Sequence, residues 1–191
     1  MKAHSFIYLI IYSCFIMSVS LQAQEHFADR YNVSYITMDD GLPHNFIDDI
    51  YKDTRGFLWI STAGGGLSRY DGYEFIHFNP NTPHSKLKSN FIHNVYEDRF
   101  HRLWIVSEGG TDIIDLSTLQ SVIPNDPKGL LPRFINHPTY IVILDSQGCI
   151  WLQCDNALHR ITFDAEGGID TLSTLDLPEQ DEPDLILKDI D

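Results

Sequence analysis

All three tryptophans of the chain lie in one short motif that recurs at a near-constant interval. The motif is DTRGFLWIST (53–62), then DRFHRLWIVS (98–107), then DSQGCIWLQC (145–154). Trp59 and Trp104 are 45 positions apart, and Trp104 and Trp151 are 47 apart. Of the 21 residues from 45 to 65, ten recur unchanged 45 positions later. A period of this size, built from short strand-like runs, is typical of a propeller or another stacked array.

Each repeat is predicted to form one four-stranded blade. In the first repeat the strands are FIDDIYKD (46–53), FLWIST (57–62), LSRYD (67–71) and YEFIHF (73–78). An Asp opens the first turn and a Gly can take positive φ within it, while Asp71-Gly72 is a strong hairpin signal. The signature positions are Asn45, Asp53, Gly56 and Trp59, then Asn90, Asp98 and Trp104, then Asp145, Gly148 and Trp151. The second repeat departs from the pattern, since His101 replaces the turn glycine and Arg102 replaces Phe57.

The predicted fold is all-β, an incomplete β-propeller of about three four-stranded blades and the start of a fourth. The predicted boundaries are 39–78 for blade 1, 79–123 for blade 2, 124–176 for blade 3 and 177–191 for a truncated blade 4. Residues 24–38 are expected to supply a strand that would close the ring in the full protein, and no helix is expected outside residues 1–23. Because three blades and part of a fourth cannot close a ring, the chain is interpreted as the N-terminal piece of a longer protein.

The first 23 residues have the layout of a secretory signal peptide. Lys2 precedes a mostly apolar run at residues 6–19, which is too short for a comfortable membrane span, and cleavage is expected after Ala23. A lipoprotein signal at Cys14 fits poorly, because the apolar run continues past it. Export is therefore predicted.

The charge and the cysteines restrict the possible partners and cross-links. A net charge of −14 argues against nucleic acid and anionic membranes as partners of this segment. Cys149 and Cys154 fall in one predicted strand, about 16 Å apart at about 3.3 Å per residue. A disulfide needs Cα atoms within about 7 Å, so the two thiols should not pair with each other.

No catalytic residue, cofactor or metal is predicted. The histidines and cysteines lack metal-site spacing, and Gly64-Gly65-Gly66 lacks the Lys-Ser/Thr of a phosphate loop. The repeated aspartates are interpreted as turn formers, with calcium binding as the alternative, which would need several converging oxygens.

The segment DGLPHNFIDDIYKDTRGFLWISTAGGGLSRYDGYEF (40–75) resembles the two-component regulator propeller repeat. The pattern combines Gly-Leu and Asn with Asp-x-x-Gly-x-Leu-Trp-Ile and Leu-x-Arg-Tyr-Asp-Gly. The resemblance covers residues 31–191. It implies the periplasmic sensor part of a hybrid two-component histidine kinase that detects glycan fragments and controls polysaccharide-utilisation genes. The kinase part is absent from these 191 residues, so this segment is not expected to be an enzyme.

The resemblance also implies an oligosaccharide ligand, contacts with the rest of the same polypeptide, an inner-membrane anchor and a possible dimer. Propeller ligands are usually held by inter-strand loops at one end or in the central channel. The candidates are the loops at 43–45, 63–66 and 108–111, with Pro43, His44, Asn45 and Glu108 named in particular. The alternatives are an exported propeller enzyme of quinoprotein or lyase type, and a binding scaffold without signalling.

Overall fold

The computed structural model describes residues 34–83 and 86–177, which form three antiparallel sheets. All the strands lie in one compact unit that begins at Thr37. Blade 1 contains β1 (Ile47–Lys52), β2 (Leu58–Thr62), β3 (Gly66–Tyr70) and β4 (Phe75–Phe78). Blade 2 contains β5 (Ile92–Glu97), β6 (Arg102–Ser107) and β7 (Gly110–Asp115). Blade 3 contains β8 (Thr139–Leu144), β9 (Ile150–Cys154), β10 (Ala157–Phe163) and β11 (Ile169–Asp176). The all-β propeller prediction is confirmed, and the array is open.

Blade 2 has three strands rather than the four predicted. After β7, the Asp115 carboxylate accepts hydrogen bonds from the backbone of Ser117 and Thr118, and the chain turns back to make a single bridge between Ile114 and Ser121. Pro124 and Pro127 follow soon after and have no N–H to donate to a ladder. The fourth strand is therefore reduced to one bridge.

Two short 3-10 helices contradict the prediction that no helix lies outside residues 1–23. The first, Met38–Asp40, is capped by Thr37, whose backbone N–H and hydroxyl both donate hydrogen bonds to the Asp40 carboxylate. Residues 24–33 of the strand expected within 24–38 lie outside the described residues, and residues 34–37 have no regular structure. The second helix is Leu131–Arg133, in the connection between blades 2 and 3.

The apolar core lies in two clusters, one between each pair of neighbouring blades. Trp59 packs with Val95, Leu103 and Ile105 of blade 2. Trp104 packs in the same way with residues of blade 3, and the members of that cluster from blade 3 are Val142, Ile150, Leu152, Cys154, Ile161, Phe163 and Ile169. Leu131 and Phe134, from the inter-blade connection, are buried in the second cluster. They fill space beside a blade that lacks its fourth strand.

A β-bulge occurs at the same place in the first strand of every blade. The register shifts between Ile47 and Asp49, between Ile92 and Asn94, and between Thr139 and Ile141. A bulge leaves a residue out of the ladder, so nearby backbone groups need other partners. The Asp49 carboxylate accepts a hydrogen bond from the Val95 N–H at 3.2 Å, and the side-chain amide oxygen of Asn94 accepts one from the Val142 N–H at 3.1 Å. The bulges of blades 1 and 2 are thus each connected to the next blade.

Candidate functional site

Each blade contains a hydrogen bond from the tryptophan indole to the aspartate that opens the first turn. The Nε1–Oδ2 distances are 2.9 Å for Trp59 and Asp53, 2.8 Å for Trp104 and Asp98, and 2.9 Å for Trp151 and Asp145. A buried indole N–H needs an acceptor, and a buried carboxylate needs donors. The recurring spacing of six residues between Asp and Trp is therefore explained by this hydrogen bond, which satisfies both groups.

The second oxygen of each aspartate is used by the turn itself. Asp53 Oδ1 accepts the N–H groups of Arg55 and Phe57 at 3.0 and 2.9 Å. The carboxylates of the other two blades accept the corresponding pairs of backbone N–H groups, Phe100 with Arg102 and Gln147 with Cys149. The structure places these aspartates at the hairpin turns that the sequence indicates, with both oxygens engaged.

His101 occupies the left-handed position that glycine takes in the other two blades. Its φ is 58°, compared with 93° for Gly56 and 78° for Gly148. Non-glycine residues adopt this region at a cost. His101 Nδ1 lies 2.8 Å from Glu97 Oε1, a contact that a glycine cannot make.

An arginine contacts the Asp–Trp pair in blades 2 and 3, by a different route in each. Arg160, on β10, lies 3.4 Å from Asp145 Oδ2 and over the Trp151 ring. In blade 2 the arginine is on the second strand instead, where Arg102 Nε donates to Asp98 Oδ2 at 2.7 Å. Arg102 stands where blade 1 has Phe57, and this difference from the repeat pattern places a cation beside the aspartate of blade 2.

Glu97 links blade 1 to blade 2. Its carboxylate accepts hydrogen bonds from the Thr54 backbone N–H and hydroxyl, both at 2.7 Å, and it is almost fully buried. Burial acts to raise the pKa of Glu97, but the hydrogen bonds from Thr54 and His101 outweigh it and hold the pKa below its ordinary value.

The structure brings two of the three predicted ligand loops together at one end of blade 1. We name this end, where β2 meets β3 and where β1 begins, the turn end. A Cβ at Gly65 would lie 2.8 Å from Pro43 Cβ, so the loops 43–45 and 63–66 touch. Pro43 is half-buried, whereas His44 and Asn45 are exposed. The Asn45 side chain accepts the Met38 N–H at 3.2 Å, and His44 Nδ1 accepts the Phe46 N–H at 3.0 Å.

The third loop, 108–111, lies at the turn end of blade 2. Glu108 is exposed, and its N–H donates to the Phe91 carbonyl at 3.3 Å. Ala63 makes the same contact with Phe46 in blade 1, at 3.1 Å. The candidate residues therefore belong to one repeated corner of the blades.

Exposed aromatic side chains surround these loops, and the sequence reasoning did not single them out. Phe46 is 64% exposed, Phe91 52% and Tyr140 46%. Tyr140 lies against His93, with ring centroids 5.2 Å apart, and the Phe91 ring lies beside Gly64. The repeated dipeptide Asn-Phe at 45–46 and 90–91 was a signal that could have identified the two phenylalanines.

Several buried polar atoms near this end have no hydrogen-bond partner among the described residues. They are Ser61 Oγ and Thr62 Oγ1 at the end of β2, Asn90 Oδ1 before β5, and His93 Nε2. The Thr62 equivalent in blade 2, Ser107, donates to the Gly110 carbonyl at 2.9 Å. Buried polar groups normally find a partner, so a bound water or ligand group is expected here.

Other site types have little support in the described ranges. In residues 34–83 and 86–177 no three His, Cys, Asp or Glu side chains converge as metal ligands would. Cys149 and Cys154 are free and buried, and burial raises the pKa of both thiols. Within the same part of the chain, no helix has the length and apolarity needed to cross a membrane.

Comparison with known proteins agrees with this architecture. A family model described as "two component regulator propeller" matches residues 41–64 and 86–109. No curated protein matches the chain.

Three similar solved structures are extracellular domains from B. thetaiotaomicron. One, from the hybrid two-component system BT3049, has a TM-score of 0.58 and 21% identity over 75% of this chain and 20% of its own. Another, from BT4673, described as a one-component system, has a TM-score of 0.53 and 25% identity over 69% of this chain and 19% of its own. A second structure of the BT4673 domain, there described as a hybrid two-component system, has a TM-score of 0.52 and 24% identity. The chain spans about a fifth of the length of these structures.

Proposed function

Because the chain carries two-component regulator propeller repeats, we propose that it is part of the periplasmic sensor of a hybrid two-component histidine kinase. The complete protein would be exported and anchored in the inner membrane, and would control genes for polysaccharide use. The matched repeats and the likeness to extracellular domains of such systems support this proposal. The kinase would lie in another part of that protein.

The proposed ligand is an oligosaccharide held at the turn end. The single observation that carries this choice is the set of exposed aromatic rings, Phe46, Phe91 and Tyr140, beside buried polar atoms that lack partners. Ligand sites combine apolar and aromatic surface with a few polar groups that fix orientation. Sugars have both an apolar ring face and hydroxyl groups, so they match this combination.

Charge also favours a neutral ligand over an anionic one. The chain carries a net charge of −14, and the named turn-end loop 108–111 contributes the exposed carboxylate of Glu108. An anionic ligand would be repelled by this surface, whereas a neutral sugar would not.

An exported propeller enzyme of quinoprotein or lyase type is the second candidate, and the geometry favours it less. The repeated, strongly held carboxylates of Asp53, Asp98 and Asp145 have both oxygens occupied by indole and backbone donors. A carboxylate so engaged is not free to transfer protons to a substrate. Turnover of glycans by the purified exported region would favour this second candidate.

The binding proposal is tested by calorimetry on the full exported region. The probes are oligosaccharide pools from partial hydrolysis of plant and host polysaccharides. We expect saturable binding that is weakened roughly tenfold or more by Phe91→Ala, since a central aromatic contact is a typical binding hot spot. Ile123→Ala, at a comparably exposed apolar residue outside the turn end, should leave affinity unchanged.

Two outcomes would contradict the proposal. Equal affinity in the parent, Phe91→Ala and Tyr140→Ala proteins would remove the turn end from the site. Absence of binding to every neutral pool would remove the oligosaccharide.

A further inference from the structure

The extra residue of each β-bulge is a position where the three blades differ in chemistry. The register shift leaves Asp48 out of the ladder in blade 1, His93 in blade 2 and Tyr140 in blade 3. The repeat keeps an aliphatic residue two positions later in every blade, at a site of packing between strands. A bulge re-aims a side chain, and bulges are common beside active and binding sites. Packing between blades therefore does not dictate the bulge residue, which is free to serve a ligand.

His93 and Tyr140 meet across the junction of blades 2 and 3. Their ring centroids are 5.2 Å apart and their planes are tilted by 36°. Asn94, the next residue after His93, accepts a hydrogen bond from the Val142 N–H at 3.1 Å through its side-chain oxygen. This bond holds the first strand of blade 3 beside the bulge of blade 2. The contact between the two rings is therefore fixed by a hydrogen bond between blades.

The His93 imidazole has a nitrogen that lacks a partner. The side chain is half-buried, and its Nε2 is enclosed with no hydrogen-bond partner among residues 34–83 and 86–177. Blade 2 has a described blade on each side, so this nitrogen lies at an internal junction of the array. A buried polar atom without a partner costs free energy, which a suitable group would recover. The adjoining Tyr140 side chain is 46% exposed, and a change of rotamer at such a residue is common when a ligand binds.

We propose that His93 and Tyr140 are the specificity-determining pair of the turn end. This inference rests on the proposed oligosaccharide function. The Tyr140 ring moves away from His93 and packs against the apolar face of a sugar, and His93 Nε2 forms a hydrogen bond with a hydroxyl group of the same sugar. A sugar without a hydroxyl at that place would leave the nitrogen unpaired, and a site built on such a hydrogen bond rejects the ligand that cannot make it.

A neutral hydroxyl is the ligand group that fits this nitrogen best. Nε2 of a neutral imidazole is a donor in one tautomer and an acceptor in the other, and a hydroxyl group can match either. A ligand carboxylate could only accept, and the net charge of −14 would repel it. The pair thus combines an aromatic surface with one polar contact, as small-ligand sites commonly do.

The test is calorimetry on the full exported region with a neutral oligosaccharide pool. His93→Phe keeps an aromatic ring against Tyr140 but removes both ring nitrogens, so affinity should fall roughly tenfold or more. His93→Gln restores a group that can donate or accept, and its affinity should stay within about threefold of the parent. His77→Phe makes the same substitution at an exposed histidine on β4 and is the matched control, which should leave affinity unchanged.

A double variant tests whether the two side chains act on one sugar. Tyr140→Ala alone should also weaken binding. Combined with His93→Phe, it should weaken binding by less than the product of the two single effects, because neighbouring groups that share one partner are coupled. A simple product of the two effects would contradict the shared sugar. Circular dichroism of each variant establishes that it is folded.

The outcomes separate this inference from the proposed function. Parent-like affinity in His93→Phe, with Phe91→Ala still weakened, would overturn the inference and leave the proposed function standing. Equal losses in His93→Phe and His93→Gln would also overturn it, because the loss would then follow from the shape of the side chain and not from the nitrogen. Absence of binding by the parent to every neutral pool would overturn both.

Discussion

At the scale of single residues, the repeated aspartate is a buried hydrogen-bond centre that joins a turn to a tryptophan. The Asp98 carboxylate accepts hydrogen bonds from two backbone N–H groups, the Trp104 indole and the Arg102 guanidinium. Four donors satisfy the acceptor capacity of a carboxylate. The conserved spacing in the repeat is thus explained by folding chemistry, without a catalytic role.

Removing Asp98 should destabilise the protein more than removing Asp53. Asp98→Ala leaves Arg102 buried without its carboxylate, so we expect a loss of about 3–5 kcal/mol in the free energy of unfolding. Asp53 has no ion pair of this kind with any residue that the structure describes, and Asp53→Ala should cost about 1–3 kcal/mol from lost hydrogen bonds. Urea denaturation measures both values, and equal losses would contradict the role given to Arg102.

Glu97 should make stability depend on pH in the acidic range. Its folded-state pKa is depressed, so its contribution is fully present above the unfolded-state pKa of about 4.3 and is lost as pH falls through the lower folded-state value. Between pH 7 and pH 3, the parent protein should lose more stability than Glu97→Gln, which has no proton to bind at this position. Parallel urea titrations at both pH values provide the measurement, and identical slopes with pH would contradict this assignment.

At the scale of elements, the bulges connect neighbouring blades through side chains. Asn94 donates to Asp49 at 3.1 Å and accepts from the Val142 N–H, so it bridges all three sheets. The bulges of blades 1 and 2 therefore each have a hydrogen-bond partner in the next blade. These hydrogen bonds fix the position of the first strand of one blade relative to the first strand of the next.

Asn94→Ala should weaken the contact between blades 2 and 3. It leaves the Val142 N–H unpaired in the interior, at an expected cost of about 1–3 kcal/mol. Hydrogen exchange at the Val142 amide should accelerate correspondingly. Asp48→Ala, at an exposed bulge position, should stay within about 0.5 kcal/mol of the parent. Unchanged exchange at Val142 in Asn94→Ala would refute the bridge.

A matched pair of glycines separates backbone strain from steric exclusion. Gly56 and Gly110 have positive φ, 93° and 116°, but only a Cβ at Gly110 would clash, at 2.3 Å from the Ile135 carbonyl oxygen. Gly56→Ala should cost about 1–2 kcal/mol from the left-handed backbone alone. Gly110→Ala should cost about 1–3 kcal/mol more, because the 108–111 loop must move from the connection that follows blade 2. Thermal unfolding measures both, and equal costs would rule out the close approach.

At the scale of the whole molecule, ligand binding should stabilise the fold. Anything that binds only the folded state raises the apparent stability by mass action. The melting temperature of the full exported region should therefore rise with the concentration of an oligosaccharide pool that binds at the turn end, and that of Phe91→Ala should rise less. Equal shifts for the two proteins would indicate that the turn end is not the site.

The repeat determined much of this architecture from sequence alone. Strands β1 to β3 and β5 to β7 fall where the alternation and turn residues place them, because side chains in one blade must meet the same surroundings as those in the next. The fourth strand predicted for blade 2 is reduced to a single bridge, and the two 3-10 helices were not predicted. These differences depend on Pro124, on the Thr37 cap and on space filled by Leu131 and Phe134, which no local pattern encodes.

The sequence by itself determined the repeat, the turns and the spacing of six residues between each aspartate and its tryptophan, because these depend on residues close to one another along the chain. Only the tertiary structure decided which faces are covered and which residues meet at the turn end. The contact between Pro43 and Gly65 and the burial of Glu97 against Thr54 join residues from different loops or blades. The exposure of Ile50 and Trp151 depends on which blade surfaces have a neighbour. Such contacts arise when sheets pack, and a local spacing of residues does not record which surface has a neighbour.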